Sequence, residues 1–495
     1  MTTAQLSPLS GQAQGIRSPA VLLSLWLLSG IILLAALGNP PVSRTQEARV
    51  LETSRQMLDE DWHGWMIPKI NSNLRLQKPP LCYWMTASAY KIGGVSEGVG
   101  RIPTALLGWL TVGIVFIFGR QLLDDRTALF SCATMLGSYL FYRNMRLAET
   151  DAPATLFVTL AIYAVWRGID GNAAWLHLAG LGTALALLAK GGPGLYPILF
   201  TLGYALVERR WDLPRRCITS GAIVTTLLVA LPWFAYVATT QGTGVFRYEV
   251  NTVTTGRDHW DWPHVYIYEL VKGVAPWTGV LPLALIDAIQ NWKRDAQVRM
   301  LLIWSTAIFL PLCIIGNKQG HYLLPLIPPL MLLIGRMLAT ATQPGHRLFG
   351  WMRAVLFGTL VVAVAGVGAI IWLALRERNG QLSAIDIMAA GSLGLGILVA
   401  AVVTARRGIS AGYVTFASLA ALMMPLLLGV WIGGVYRYTT RGVAKEIRQR
   451  FGEGPYVFYG PNVSIPMCFN MRTAIPSAEN ARKLLAMSSP GTIAI

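Results

Sequence analysis

Cations gather in a few short stretches of this chain, beside prolines, aromatic residues and isolated carboxylates. In RLQKPPLCYW, Lys78 precedes Pro79 and Pro80, which break any helix, and Tyr83 and Trp84 follow as an aromatic pair suited to a lipid headgroup belt. Lys78 reads either as an interfacial anchor or as a rigidly held point charge for a lipid phosphate. RNMRLAETDAP packs Arg143, Arg146, Glu149 and Asp151 together. Glu149 and Asp151 are two apart, so on a continuous helix only one of them faces a given site. Asp151 is equally able to cap the following helix with Thr150. ALLAKGGPGLYP places Lys190 before two glycines and a proline that force a turn, where it either snorkels or meets an anion. GNKQGHYLLPLIPPL sets Lys318, His321 and Tyr322 at another helix end. SRTQEARVLETSRQML has capping-box spacing from Ser43 to Gln46 and an apolar set, Val50, Leu51, Met57 and Leu58, suited to lying on a membrane surface. Glu47 and Arg49 then fall in its first turns. His259 and His264 are five apart among Arg257, Asp258 and Asp261, a spacing too loose to define a metal site by itself.

The elements that must position these residues are membrane helices. With 495 residues, 54% hydrophobic and only 13% charged, the chain carries more apolar surface than one soluble core can bury. Runs of spanning length fall near 19–38, 101–119, 127–143, 152–167, 173–189, 194–208, 217–238, 266–290, 299–316, 321–340, 352–375, 385–405 and 411–434. That predicts an all-α polytopic protein of about thirteen transmembrane helices. The stretch after Arg17 is long enough to span, and no small-residue cleavage signal follows it, so it reads as an uncleaved first helix. The net charge of +17 would suggest nucleic acid in a soluble protein. Here much of it lies in alternate short loops, including Arg120 with Arg126, Arg209 with Arg210, and Arg406 with Arg407, which reads as topology and not as nucleic-acid binding. The N-terminus is then cytoplasmic, and loops 39–100 and 239–265 and the C-terminal segment are extracytoplasmic, in a cell (inner or plasma) membrane.

Loop 39–100 is rich in Lys and Arg on the side that the charge rule leaves non-positive, which suggests a site for an anionic group. Residues 1–436 form the membrane domain; 437–495, with PYVFYG and TIAI as strand-like runs around a helical stretch at Arg441–Phe451, form a small α/β appendage. Cys82, Cys132, Cys217, Cys313 and Cys468 are scattered without metal-ligand or redox spacing.

In order, QEARVLETSRQML, DWHGWMIP, LQKPPLCYW, RLAETD, LAKGGPGLYP, VAPWTGVLP and KQGHYLLPLIPP occur between about residues 43 and 335. This succession resembles the C-fold (GT-C) membrane glycosyltransferases of the aminoarabinose transferase (ArnT-like) and dolichyl-phosphate-mannose protein O-mannosyltransferase type. The resemblance implies an undecaprenyl- or dolichyl-phosphate sugar as donor, a lipid (lipid A-like) or protein acceptor, and a site where the first outer loop meets the outer helix ends. Arg49, Lys78, Asp151 and Tyr322 match family positions for donor-phosphate binding or catalysis, and Lys190 and Lys318 fall on other recurrent motif positions. Two carboxylates of the family pattern are missing, because Gln46 stands before Glu47 and Gln77 before Lys78. This argues against a required divalent metal. No cofactor is implied with certainty, and His259 and His264 are weak metal candidates.

Breaking a glycosyl-phosphate bond develops oxocarbenium character on the sugar and negative charge on the phosphate. Arg49, Lys78 and Arg146 are expected to meet that charge. The attacking hydroxyl needs a base, for which Asp151 is the first choice and Glu47 the second. Two rivals remain at this level: a transporter or lipid flippase, and a catalytically inactive lipid-binding relative. Transporters place ionisable residues near mid-membrane and show repeat symmetry, whereas the charges here crowd one face.

Overall fold

The computed structural model describes residues 18–71, 73–244, 246, 261–435, 439–452, 454–459, 463–487 and 492–495. Eight helices are long and apolar enough to cross a membrane, from Glu97–Leu122 to Ile409–Trp431. Their outward faces are as apolar as the interior: Val361 and Val362 are about 70% exposed, as is Leu228. In water such faces would aggregate, and in lipid they need no partner, so the chain is a multi-pass membrane protein.

The first half supplies most of the site, and the chain at the 3₁₀ turn Gly320–Leu326 supplies the rest. After α1 (Pro19–Leu34) come α2 (Thr45–Gln56), the short α3 (Trp62–Met66), a two-stranded ribbon β1 (Lys69–Ile70) and β2 (Asn73–Leu74), and α4 (Leu81–Gly93). Helix α2 packs on α4, and the long α5 (Glu97–Leu122) packs on α4, α1, α6 (Asp125–Leu136) and α8 (Asp151–Gly168). Helices α8 and α9 (Ala173–Lys190) form the most extensively packed helix pair among the described residues. Small residues permit it: a Cβ on Gly182 would lie 3.0 Å from both the Phe157 carbonyl and the Ala161 methyl.

Several expected spans are broken. The run 127–143 divides into α6 and α7 (Tyr139–Asn144) around Gly137 and Ser138, and 266–290 divides into helices His264–Gly273 and Val280–Asn291 with Pro276 between them. Proline lacks the amide hydrogen that a continuous helix requires. Helix α2 begins at Thr45 with Arg44 at its cap and no side-chain capping bond, so the Ser43 capping box does not form.

At the chain end, helices Thr440–Phe451 and Ile465–Met471 accompany a parallel sheet, β4 (Ser477–Ala478), β3 (Tyr456–Tyr459) and β5 (Ile493–Ala494), in the order β4-β3-β5. This unit docks on the first loop. Arg441 pairs with Glu97, Thr440 Oγ1 donates to the Val42 carbonyl, and Ile465–Met471 packs on α2.

Candidate active site

One end of the bundle holds a polar cavity of about 240 Å³ built from five chain segments. Helix α2 contributes Gln46 and Arg49, and the extended stretch before α4 contributes Arg75, Gln77 and Lys78. The start of α8 contributes Glu149, Thr150 and Asp151; Lys190 ends α9, and His321 and Tyr322 lie on a 3₁₀ turn, Gly320–Leu326.

Local chemistry puts each one there. Pro80 caps α4, so Lys78 is held just outside a helix that cannot extend back to absorb it. Gly191 stops α9 at φ +75°, a left-handed conformation that favours glycine, and leaves Lys190 as the last helical residue. Asp151 is the first residue of α8, where the positive end of the helix dipole favours a carboxylate. Thr150 is the cap and accepts no side-chain capping bond, so the capping role open to Asp151 does not apply.

Asp151 and Lys190 form a buried ion pair, and Lys190 Nζ lies 4.0 Å from the centre of the Tyr322 ring. His321 Nε2 is 3.9 Å from Asp151 Oδ2, and its Nδ1 is 3.4 Å from Arg44 Nη2. Arg44 Nε lies 2.8 Å from Glu149 Oε1, off the hydrogen-bonding direction, and Glu149 Oε2 has no hydrogen-bond partner among the described residues. Burial pushes the Glu149 carboxyl up to about 7; Arg44 and Arg143 pull it back while Asp151 and Glu47 push it further. The i, i+2 reasoning fails here because residues 145–150 form a turn and not a helix, so both carboxylates reach one cavity.

Arg49, Lys78, Asp151, Lys190 and Tyr322 thus come together, and the remaining candidates do not. Glu47 is sealed beneath the cavity in a two-pronged pair with Arg101, at 2.6 and 3.0 Å, and also accepts from the Ala148 amide. Arg146 turns away toward α1, donating to the Ile32 carbonyl at 3.2 Å and to the Tyr142 hydroxyl. Lys318 is buried as a clamp on the Asp261 and Ile315 carbonyls. His264 is exposed at a helix start, and His259 lies outside the described residues. Glu149, Asp151 and His321 have ligand-type atoms within 4.8 Å of one another, but Arg44 and Lys190 already sit on the two carboxylates, so a cation would have to displace them. Sequence assigned no individual role to Arg44 or Arg75, and His321 was marked only by its place beside Lys318 and Tyr322 at a helix end. The clustering of Lys and Arg in loop 39–100 was the available signal for the first two.

A second cavity, of about 470 Å³, opens beside the first and is walled by Leu76, Pro193, Trp233, Phe234, Phe246, Leu312 and Ile315. The two share Gln77, Lys78, Asp151, Lys190 and Tyr322.

The fold superposes on the crystal structure of ArnT from Cupriavidus metallidurans bound to undecaprenyl phosphate with a TM-score of 0.78, covering 96% of this chain and 90% of that one at 22% identity. The chain shares the fold of that ArnT structure. Within this ArnT-like fold, residues 77–236 match the dolichyl-phosphate-mannose-protein mannosyltransferase family. The undecaprenyl phosphate-alpha-4-amino-4-deoxy-L-arabinose arabinosyl transferase of Pseudomonas aeruginosa (strain UCBPP-PA14) is 28% identical over 370 residues, 70% of this chain and 64% of the relative. The second such transferase of Pseudomonas fluorescens (strain Pf0-1) is 29% identical over 331 residues, 63% of this chain and 59% of the relative. The match thus spans just under two thirds of these relatives' length.

Proposed function

We propose that this ArnT-like protein transfers a sugar from a polyprenyl-phosphate donor to an extracytoplasmic acceptor, lipid or protein. The observation that carries this is the shared wall of the two cavities, where Lys78, Lys190 and Tyr322 stand between a polar chamber and an apolar one. A polyprenyl-phosphate sugar has that same sequence of parts: isoprenoid chain, phosphate, sugar. The chain would lie against Trp233, Phe234 and Phe246, the phosphate at Lys78, Lys190 and Arg49, and the sugar in the polar chamber. The named activity of the Pseudomonas relatives and the undecaprenyl phosphate bound in the Cupriavidus structure support the same donor class.

The reaction needs positive charge where the leaving phosphate forms, and fixed cations at a membrane surface supply it without reorganisation. Asp151 holds Lys190 in place and keeps a negative charge near the anomeric carbon as oxocarbenium character grows there. We assign the polar cavity and residues 437–495 to the extracytoplasmic side and the N-terminus to the cytoplasm, with thirteen spans and a membrane domain of 1–436, in keeping with the basic loops.

The test uses the purified full chain in nanodiscs. Undecaprenyl phosphate should bind saturably, and labelled undecaprenyl-phosphate sugar should pass its label to membrane lipid or protein fractions of the host. Absence of both binding and transfer overturns the proposal.

A further inference from the structure

Gln46 cannot accept a proton, Glu47 is sealed by Arg101, and Asp151 is committed to Lys190. Glu149 is the other carboxylate that lines the polar cavity. We propose that Glu149 is the proton acceptor of the transfer reaction, and that the acceptor group is therefore a hydroxyl and not a phosphate. This rests on the donor class proposed above.

Geometry makes the case. Glu149 lies on the turn that brings it beside Asp151 in the lining of the polar cavity, and its buried Oε2 lacks a hydrogen-bond partner among the described residues. A buried acceptor oxygen left unpaired is costly, and it is satisfied when a hydroxyl donates to it. The charged and titratable groups that face Glu149 are Arg44 before α2, Glu47 on α2, Cys82 on α4, Arg143 on α7, Asp151 on α8, Lys190 on α9 and His321 on the 3₁₀ turn. Their balance, with burial, leaves the carboxyl near neutrality, where a general base works best.

The step balances as follows. The acceptor oxygen bonds to the anomeric carbon, the bond from that carbon to the phosphate oxygen breaks, and its electron pair leaves with the polyprenyl phosphate. The hydroxyl proton passes to Glu149. A phosphate acceptor is already ionised at neutral pH and needs no base; a hydroxyl holds its proton far more tightly and needs one.

The experiment uses the full chain in nanodiscs with labelled undecaprenyl-phosphate mannose and, separately, undecaprenyl-phosphate 4-aminoarabinose, and with host membrane lipid and protein fractions as acceptors. The product should resist mild acid, as a glycoside does and a glycosyl phosphate does not. Its partition between organic solvent and protein tells which fraction supplies the hydroxyl. Glu149→Gln should lower kcat at least about 100-fold, while undecaprenyl phosphate binding stays within about twofold. The wild-type rate should rise as pH passes through about 7, and that limb should vanish in the residual rate of Glu149→Gln. If the glutamine variant does not fold, Glu149→Asp keeps a carboxylate one methylene shorter and should retain the limb at a lower plateau. A near-normal rate in folded Glu149→Gln, loss of the limb in folded Glu149→Asp, or an acid-labile product overturns the inference while leaving the donor assignment intact. Failure of the wild type to bind undecaprenyl phosphate would remove the donor assignment, and this inference with it.

Discussion

Replacing Glu47 by glutamine separates a structural carboxylate from a chemical one. Glu47 and Arg101 are 1% and 2% exposed in their side chains, and the guanidinium spends its hydrogen bonds on the two carboxylate oxygens and on the Leu37 and Pro40 carbonyls. One interaction therefore ties α2 and α5 to the chain leaving α1. Glutamine keeps the volume but removes the charge, leaving a buried guanidinium without its counterion, which costs about 3–5 kcal/mol. The thermal midpoint in detergent should fall by on the order of 3–5 °C. Adding Arg101→Met to Glu47→Leu removes both charges, so the double variant should be more stable than Glu47→Leu alone, with a coupling of about 1–3 kcal/mol. Transfer by the folded fraction of Glu47→Gln should stay within a few-fold of wild type. An unchanged midpoint with transfer abolished would show that Glu47 performs chemistry and that the cavity has been drawn one layer too shallow.

Lys78→Met keeps most of the side-chain volume without the charge, so undecaprenyl phosphate binding measured by tryptophan quenching should weaken by about 1.5–3 kcal/mol. Unchanged affinity would make Lys78 an interfacial anchor. Asp151→Asn leaves Lys190 without its counter-charge in a buried site and should destabilise the apoprotein by about 3–5 kcal/mol, with saturating undecaprenyl phosphate restoring part of the loss. Equal midpoints with and without that ligand would place the phosphate elsewhere. Lys318→Met uncaps two carbonyls and should lower stability by about 1–3 kcal/mol without changing donor affinity; a selective loss of affinity would return Lys318 to the phosphate site.

The helical membrane class was legible because the bilayer demands long apolar runs, which leave a composition signal that needs no tertiary knowledge. Lys78, Lys190 and Tyr322 were legible as well, because Pro79, Gly191 and the Gly320 turn mark where helices stop and polar groups gather. Misplaced residues fail for tertiary reasons. Arg146, Glu47 and Lys318 look no different in sequence from Arg49, Asp151 and Lys190; what separates them is which partner lies across the bundle, a carbonyl of Ile32, the guanidinium of Arg101 or the carbonyl of Asp261. Glu149 was set against Asp151 by assuming a helix through a segment that is a turn.

The charge of the polar cavity bears on metal use. Its lining sets Arg49, Arg75, Lys78 and Lys190 against Glu149 and Asp151, so two formal positive charges are in excess with His321 neutral. A donor phosphodiester brings one negative charge, and the phosphate released by cleavage carries up to two. The excess therefore matches the leaving group, whose charge is greatest when catalysis most needs a counter-charge. With carboxylates in place of Gln46 and Gln77, the same lining would be neutral, and a divalent cation would be needed to receive the phosphate. Amides at these positions remove that need, so transfer should be unaffected by EDTA at neutral pH and unchanged by added Mg²⁺ or Mn²⁺. Restoring acid at both places, Gln46→Asp with Gln77→Glu, should weaken undecaprenyl phosphate binding without metal and make it respond to added divalent ion. Loss of wild-type transfer in chelator, recovered by a divalent ion, would refute this charge balance and require a cation in the site that the lysines and arginines alone do not replace.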